Sequence, residues 1–286
     1  MAVPRGACDS HVHIFGPFDA YPLAAQRAYT PQPALLSDLL AMLEGGHIER
    51  AVLVQPSAYG TDNRCMLAAL AEQPRRLRGV AVVDPEISIG ELEKMHALGV
   101  RGVRLNLVSG GGLSGAETAR LVDAVAGKIA PLGWHLQLFV NNAIIDDVAP
   151  RVPHLPVPVV FDHMGFLQVA RGASQPGYAA LLKLAGSGRA WVKLSGAYRV
   201  SPDEYGNAQV TALARALIAA NPERMVWASD WPHIGEHAPG HHAVPPPVEY
   251  RRMDYGRLVS TLADWTDAAG IEHMLVRNPA ALYDFS

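Results

Sequence analysis

A strand-sized apolar segment that ends in two closely spaced histidines most constrains what this chain can fold into. Only one residue separates His11 from His13. Side chains alternate faces along a β-strand, so both imidazoles point the same way and can enter one cavity. Short, β-rich apolar segments also carry Arg104, His163 and Asp230. The sequence therefore predicts that several strands deliver polar side chains to one place, which is typical of an enzyme.

Strand and helix patterns alternate along the chain of 286 residues. The predicted strands are 7–13, 51–55, 79–83, 102–108, 135–140, 159–163, 191–195 and 225–230. Apolar residues at helical spacing predict helices over 35–43, 63–72, 89–98, 117–132, 178–185, 207–220 and 255–268. This alternation predicts an α/β fold, a single parallel (β/α)8 barrel domain over 1–286. A doubly wound sheet is the alternative, but it usually carries a glycine-rich loop after strand 1, where this chain has His-Val-His.

Composition excludes several classes of partner. The formal net charge is −3 and the mean hydropathy is +0.08, both ordinary for a soluble globular protein. A nucleic-acid surface needs clustered basic residues, and a membrane span needs roughly 18 consecutive apolar residues; neither is present. The cysteines, Cys8 and Cys65, are too few for a disulfide framework and fit a reducing compartment. We therefore expect a cytoplasmic monomer or homodimer that binds neither nucleic acid nor membrane.

Two long irregular stretches follow the first and last predicted strands, over 16–33 and 235–254. Barrel enzymes build their active sites at the carboxyl ends of strands, and loops of this length are often functional. The second stretch contains His237, His241 and His242 together with the prolines at 245–247. The prolines favour a semi-rigid lid over the alternative, a metal-binding loop.

Four residues form the candidate catalytic set: His11, His13, His163 and Asp230. Three neutral imidazoles and one carboxylate can hold one divalent ion and leave a position for water. Without a metal, the imidazoles can polarise an ester carbonyl while Asp230 takes a proton from water. Both alternatives activate water against an electrophilic carbon. A serine nucleophile is not expected, because no Gly-x-Ser-x-Gly elbow follows any strand.

Two arginines indicate the charge of the substrate. Arg104 lies among apolar neighbours in the fourth predicted strand, and Arg199 follows the seventh. A guanidinium is costly to bury without a partner, and its planar fork suits a carboxylate. An internal ion pair is the alternative for each residue. If both side chains face the cavity, the substrate is an anion.

These motifs carry a resemblance to a known family. They are the segment 8–17, Asp162-His163-Met164-Gly165, Ser229-Asp230-Trp231-Pro232-His233 and the segment 277–283. Together they span nearly the whole chain. The chain resembles the amidohydrolase superfamily, in the branch of lactonases that includes the pyrone dicarboxylate lactonases.

The resemblance implies a distorted (β/α)8 barrel that hydrolyses a carboxylated lactone, such as a pyrone dicarboxylate, a muconolactone or a sugar-acid lactone. It implies Asp230 as the general base, with His11, His13 and His163 polarising the carbonyl. It assigns substrate binding to Tyr29, Ser57, Arg104, Arg199 and His233. A metal-dependent decarboxylase and a lactone isomerase of the same superfamily remain as alternatives.

The resemblance also bears on cofactors. A binuclear metal centre is not expected, because the fifth strand has no lysine and the seventh has no histidine. We expect that no cofactor is required; a single zinc ion on His11, His13, His163 and Asp230 is the alternative.

Two positions depart from the pyrone dicarboxylate lactonases. A basic residue that follows the strand-4 arginine there is replaced by the serine and glycines of 109–111, and a strand-5 tyrosine is replaced by Phe139. Losing a charge-assisted hydrogen bond costs about 1.5–3 kcal/mol. Lactones with one carboxylate, and neutral sugar lactones, therefore join the dicarboxylates among the expected substrates.

Overall fold

Eight parallel strands form the centre of the computed structural model, which describes residues 2–108, 115–237 and 245–285. The strands are β1 (Cys8–Val12), β2 (Arg50–Val54), β3 (Leu77–Ala81), β4 (Val100–Asn106), β5 (His135–Phe139), β6 (Val159–Phe161), β7 (Ala190–Leu194) and β8 (Met225–Trp227). Each strand pairs with the next one along the chain. The ring closes where Val12 bridges Trp231 and the His13 amide donates to the Trp231 carbonyl at 2.8 Å. The predicted barrel is confirmed.

Helices follow the strands and cover the outside of the barrel. In the described residues they are α1 (Leu36–Gly45), α2 (Arg64–Glu72), α3 (Ile89–Ala97), α4 (Gly115–Ile129), α5 (Asn142–Val148), α6 (Tyr178–Gly186), α7 (Ala197–Val200), α8 (Ala208–Ala220), α9 (Tyr255–Ser260), α10 (Leu262–Trp265), α11 (Ala268–Glu272) and α12 (Asn278–Tyr283). In α8 the buried residues Val210, Leu213 and Leu217 recur at three- and four-residue spacing, as a helix packed on a sheet requires. None of these helices is both long and apolar enough to span a bilayer.

Several elements differ from the sequence prediction, among them the short helices α7 and α12, which were not predicted. Helix α5 was not predicted, because its seven residues are too few to show a helical period; the Asn141 side chain caps it by accepting from the Ile144 amide. The predicted helix over 255–268 is divided into the short helices α9, α10 and the start of α11. The predicted strand over 225–230 ends at Trp227, and Asp230 has a φ of 67°, which no strand can accommodate.

The two long excursions form a roof over the carboxyl end of the barrel. Thr30–Pro31, in the excursion after β1, pairs in parallel with Pro247–Val248, in the excursion after β8. Within the second excursion, Ile234 bridges Tyr250 in antiparallel fashion. The predicted lid is thus a small ladder of backbone hydrogen bonds in its described part. Its histidines 241 and 242 lie outside the described residues, as do positions 109–111 after β4.

Gly102 provides a test of packing in the barrel interior. It pairs with His135 of β5, and a Cβ at position 102 would overlap the buried imidazole. We expect Gly102→Ala to lower the free energy of unfolding by about 1–3 kcal/mol, since the ring must move in a packed interior. Chemical unfolding monitored by circular dichroism measures this. The control is Gly90→Ala in helix α3, where the new methyl group has no neighbouring atom in contact among the described residues. Alanine favours the helix more than glycine does, so no loss of stability is expected. Equal stability of the two variants would contradict this account of the interior.

Candidate active site

The structure brings the four predicted catalytic side chains together at the carboxyl end of the barrel. His11 lies on β1 and His13 directly after it, while His163 and Asp230 follow β6 and β8. The Nε2 atoms of His11 and His13 are 3.3 Å apart. The Asp230 Oδ1 atom lies 3.8 Å from Nε2 of His11, 3.7 Å from that of His13 and 3.9 Å from that of His163. Three imidazoles therefore face a single carboxylate oxygen.

The outer nitrogen of each imidazole has its own partner. His13 Nδ1 lies 2.7 Å from the Val54 carbonyl oxygen. Because a carbonyl only accepts, the proton of neutral His13 lies on Nδ1, and its Nε2 presents a lone pair to the centre. His163 Nδ1 lies 2.9 Å from the Ser195 hydroxyl. These partners fix the rotation of the rings.

Burial keeps two of the imidazoles neutral. It lowers the pKa of His163 to about 3, against the opposing attraction of Asp230. It also lowers the pKa of His11 well below the ordinary value, with the nearby Lys193 ammonium acting in the same direction. Both rings are therefore available as uncharged ligands or hydrogen-bonding groups at neutral pH.

Asp230 is held as a carboxylate by a cation and a phenol. Its Oδ2 atom accepts from Arg199 Nε at 2.6 Å and from the Tyr198 hydroxyl at 2.5 Å. Burial alone would raise the pKa of Asp230, but the Arg199 guanidinium and the imidazoles outweigh burial and hold it well below the ordinary value. Oδ1 has no hydrogen-bond partner in the described part of the chain. Asp230 therefore turns one unpaired, charged oxygen toward the imidazoles.

A second buried carboxylate, Asp162, lies beneath this set, and sequence reasoning assigned it no role. Arg104 Nε donates to its Oδ2 atom at 2.9 Å and Gln137 Nε2 does so at 3.1 Å. Its Oδ1 atom lies 3.3 Å from His11 Nδ1 and 3.9 Å from Lys193 Nζ. Arg104 and Gln137 are register partners on β4 and β5, so both reach Asp162 from the same side. Asp162 thus orients His11 and neutralises a buried arginine.

The Asp162 cluster left one signal in the sequence. A buried arginine on a strand needs a carboxylate partner, and Asp162 directly follows an apolar strand end.

Lys193 is fully buried and donates to the Ser10 carbonyl at 2.8 Å. Burial lowers the pKa of Lys193 to about 8, although the Asp162 carboxylate acts in the opposite direction. Both arginines singled out from the sequence thus form internal ion pairs, Arg104 with Asp162 and Arg199 with Asp230.

A cavity of about 440 Å³ opens above the imidazoles. Four of the predicted substrate-binding residues line it: Tyr29, Ser57, Arg104 and Arg199. His13 and His163 form part of its floor. Burial raises the pKa of Tyr29 to about 12, so its phenol stays protonated at neutral pH. An arginine-lined cavity with a phenol and a hydroxyl in its wall suits a small organic anion.

His233, the fifth predicted binding residue, is placed differently. It is buried and borders a separate surface cavity next to Trp231 and Tyr250. Its φ of 65° turns the chain away after Asp230, and its ring lies 6.3 Å from that of Tyr198. A role for His233 in binding stays a prediction. Sequence reasoning missed these residues of the main cavity wall: Asn106, Phe166, Tyr198, Ile234 and Arg251.

The donor set fits a single metal ion. The nitrogen and oxygen atoms of His11, His13 and Asp230 all lie within 4.8 Å of one another, and His163 adds a third imidazole. Tetrahedral zinc with nitrogen ligands about 2.0 Å away separates them by roughly 3.3 Å, close to the His11–His13 distance. The unpaired Asp230 Oδ1 atom offers an oxygen ligand. The outer nitrogens of His13 and His163 have hydrogen-bond partners that orient the rings, as is usual for metal-binding histidines. The residues present therefore suit one divalent cation.

Comparison with known proteins shows the family of this chain. Residues 8–285 match the family model described as amidohydrolase. The chain belongs to the amidohydrolase family. The resemblance inferred from the sequence motifs is thus confirmed over almost the whole chain.

Three curated amidohydrolase relatives act on lactones by name. A 4-sulfomuconolactone hydrolase from Rhizobium radiobacter is 33% identical over 284 residues, which cover 99% of this chain and 91% of the relative. A 2-pyrone-4,6-dicarboxylate hydrolase from Comamonas testosteroni is 34% identical over 299 residues, covering 98% and 91%. A D-galactarolactone isomerase from Agrobacterium fabrum is 31% identical over 289 residues, covering 100% and 93%.

Solved amidohydrolase structures share the architecture. A putative 2-pyrone-4,6-dicarboxylic acid hydrolase from Pseudomonas putida superimposes with a TM-score of 0.79 at 34% identity, covering 99% of both chains. An amidohydrolase from Burkholderia multivorans with bound zinc shares the fold, with a TM-score of 0.71 at 21% identity and 100% coverage of both chains.

Asp162 gives a test of the buried charge cluster. We expect Asp162→Asn to lower the free energy of unfolding by about 3–5 kcal/mol, because it leaves the Arg104 guanidinium buried without a counterion. Urea unfolding monitored by tryptophan fluorescence measures the change. The control is Asp62→Asn, which removes the carboxylate from the solvent-exposed Asp62–Arg64 pair. That change should have little effect, because exposed ion pairs contribute little. Similar losses in both variants would contradict a stabilising role for Asp162.

Proposed function

We propose that this amidohydrolase is a lactone hydrolase that opens a carboxylated cyclic ester with an activated water molecule. One observation carries the proposal: an unpaired, ionised Asp230 oxygen lies 3.7–3.9 Å from three imidazole nitrogens, and two of those imidazoles, His13 and His163, form part of the floor of a cavity that Arg104 and Arg199 also line. A base, a carbonyl-activating group and an anion-binding wall are what ester hydrolysis of an anion requires. The two lactone hydrolase relatives, at 33% and 34% identity, support the same activity.

Asp230 Oδ1 is the proton acceptor in this proposal. Water lies between it and the lactone carbonyl carbon, and the water oxygen bonds to that carbon as its proton passes to Oδ1. The ring carbon–oxygen bond then breaks, and the proton moves from Asp230 to the departing ring oxygen. The sum is lactone plus water giving a ring-opened acid, and Asp230 returns to its starting state. The hydrogen bonds on Oδ2 hold the carboxylate in one orientation throughout.

The imidazoles face the space next to the point where the carbonyl oxygen would lie. His11, His13 and His163 would hold one divalent ion there through their nitrogen lone pairs; without an ion, a neutral imidazole whose proton lies on Nε2 would donate a hydrogen bond to the carbonyl oxygen. A zinc ion at this point would act as a Lewis acid on the carbonyl. Arg104 and Arg199 bind the substrate carboxylate from the wall, and Tyr29 and Ser57 offer hydroxyls to the ring.

The role of Asp230 as the base is tested by replacing its carboxylate with an amide. Asp230→Asn keeps the shape of the side chain but cannot accept the proton, so we expect kcat for lactone opening to fall by roughly 10²–10⁴-fold while binding persists. Acid release from a lactone panel measures kcat, and product binding by calorimetry measures affinity. Asp19→Asn, an exposed aspartate, is the control and should match the parent protein. Undiminished turnover by Asp230→Asn would exclude Asp230 as the base.

A lactone isomerase is the second candidate, favoured by the 31% identity to D-galactarolactone isomerase. An isomerase needs the same carbonyl activation, with a substrate hydroxyl in place of water. Mass spectrometry distinguishes the two, since hydrolysis adds one water to the product and isomerisation leaves the mass unchanged. If every lactone that reacts gives a product of unchanged mass, the protein is an isomerase and the proposed hydrolase activity is wrong.

The ion-binding capacity of the site can be measured apart from activity. We expect the chelator-treated protein to bind one equivalent of Co²⁺ with the visible absorption of a tetrahedral complex, since three imidazoles and a carboxylate converge. His163→Ala should weaken binding by at least about tenfold. His154→Ala, an exposed histidine, is the control. Equal binding by the parent and both variants would place the ion elsewhere and contradict the proposed ligand set.

A further inference from the structure

A third arginine, Arg251, lies in the wall of the same cavity. It belongs to the roof, where its amide donates to the His233 carbonyl at 2.8 Å and its neighbour Tyr250 bridges Ile234. Its backbone is thus fixed to the segment that leaves the active site after Asp230. Arg251 had no sequence signal, because it lies in an irregular stretch twenty-one residues beyond Asp230.

The guanidinium of Arg251 is close to the catalytic machinery. Its Cζ lies 5.0 Å from the centroid of the Tyr198 ring, and the Cζ of Arg199 lies 5.2 Å from the same ring. The hydroxyl of that ring donates to Asp230. Two cations therefore share one aromatic contact in the cavity wall, the first bound to Asp230 and the second nearer the roof.

The present partners of Arg251 leave it available to a ligand. Its Nε atom is buried and has no hydrogen-bond partner in the part of the chain that the structure describes. Its terminal nitrogens lie 3.0 Å from Glu236, which borders the same cavity but has a 93% exposed side chain, and 3.8 Å from Glu204, whose side chain is 46% exposed. Ion pairs with such exposed carboxylates are weak, because water screens them. An anion inside the cavity, less screened, competes well for the same guanidinium.

We infer that Arg251 determines specificity for lactones with two anionic groups, by binding the second group near the roof. This inference rests on the proposed hydrolysis of a carboxylated lactone. Arg104 and Arg199 take the first carboxylate, and Arg251 supplies a further cation in the wall of the same cavity. The preferred substrate is then a dianion, a lactone that bears two carboxylates or a carboxylate and a sulfonate.

Pairs of lactones that differ in the second anionic group isolate the contribution of that group to binding. One pair is 2-pyrone-4,6-dicarboxylate and 2-pyrone-6-carboxylate, and the other is 4-sulfomuconolactone and muconolactone. The variants are Arg251→Gln and, to restore the charge, Arg251→Lys. Arg252→Gln is the matched control, because Arg252 is the adjacent arginine, is exposed and, unlike Arg251, is not among the described residues that line the main cavity.

We expect Arg251→Gln to raise KM for the dianion of a reactive pair by about ten- to a hundredfold, since a charge-assisted hydrogen bond is lost. KM for its monoanionic partner should change less than about threefold, and kcat should hold, because Asp230 and the imidazoles are untouched. Arg251→Lys should recover part of the loss, and Arg252→Gln should behave as the parent protein.

The outcomes separate this inference from the proposed function. If the parent protein opens neither these four lactones nor a sugar-acid lactone of the panel, the proposed hydrolysis itself fails. If it opens them but Arg251→Gln weakens both members of a pair equally, or if monoanions are opened as efficiently as dianions, the role of Arg251 is overturned while the hydrolase remains.

Discussion

The active site depends on two carboxylates that are buried among cations inside the barrel. Asp162 pairs with Arg104, and Asp230 pairs with Arg199. Removing such charges from water costs several kcal/mol per ion unless each finds a partner with good geometry. Here each carboxylate also lies near at least one imidazole of the candidate catalytic set, so the interactions that neutralise the interior also orient the imidazoles. Stability and the proposed chemistry therefore rest on the same contacts.

Backbone conformation is constrained at the same place. His163, Asp230 and His233 all have positive φ values, which non-glycine residues rarely adopt and which cost about 1–3 kcal/mol each. At Asp230 this conformation interrupts the extended backbone and directs the carboxylate toward the imidazoles at the carboxyl end of the barrel. The hydrogen bonds from Arg199 and Tyr198 offset that cost. A regular strand end would leave the carboxylate on a different face.

Much of this could be predicted from the sequence, and what could not has physical reasons. The eight strands and the facing pair His11 and His13 follow from local periodicity. Asp162 and Lys193 were missed because a charged residue in or beside an apolar strand gives no local sign of its distant partner. Arg251 lies in an irregular stretch, and the backbone contacts that fix it beside the cavity are made with His233 and, through its neighbour Tyr250, with Ile234. Periodicity carries no information on such contacts.

The roof is also completed late in the synthesis of the chain, because one of its strands lies near the C-terminal end. Its ladder joins Thr30–Pro31 to Pro247–Val248, and the barrel is closed by the contact between Val12 and Trp231. A nascent chain that has not emerged beyond residue 230 lacks the contact that closes the ring, and one that has not emerged beyond residue 250 lacks part of the cavity wall. Such partly made chains expose unpaired strand edges, which makes them prone to aggregation.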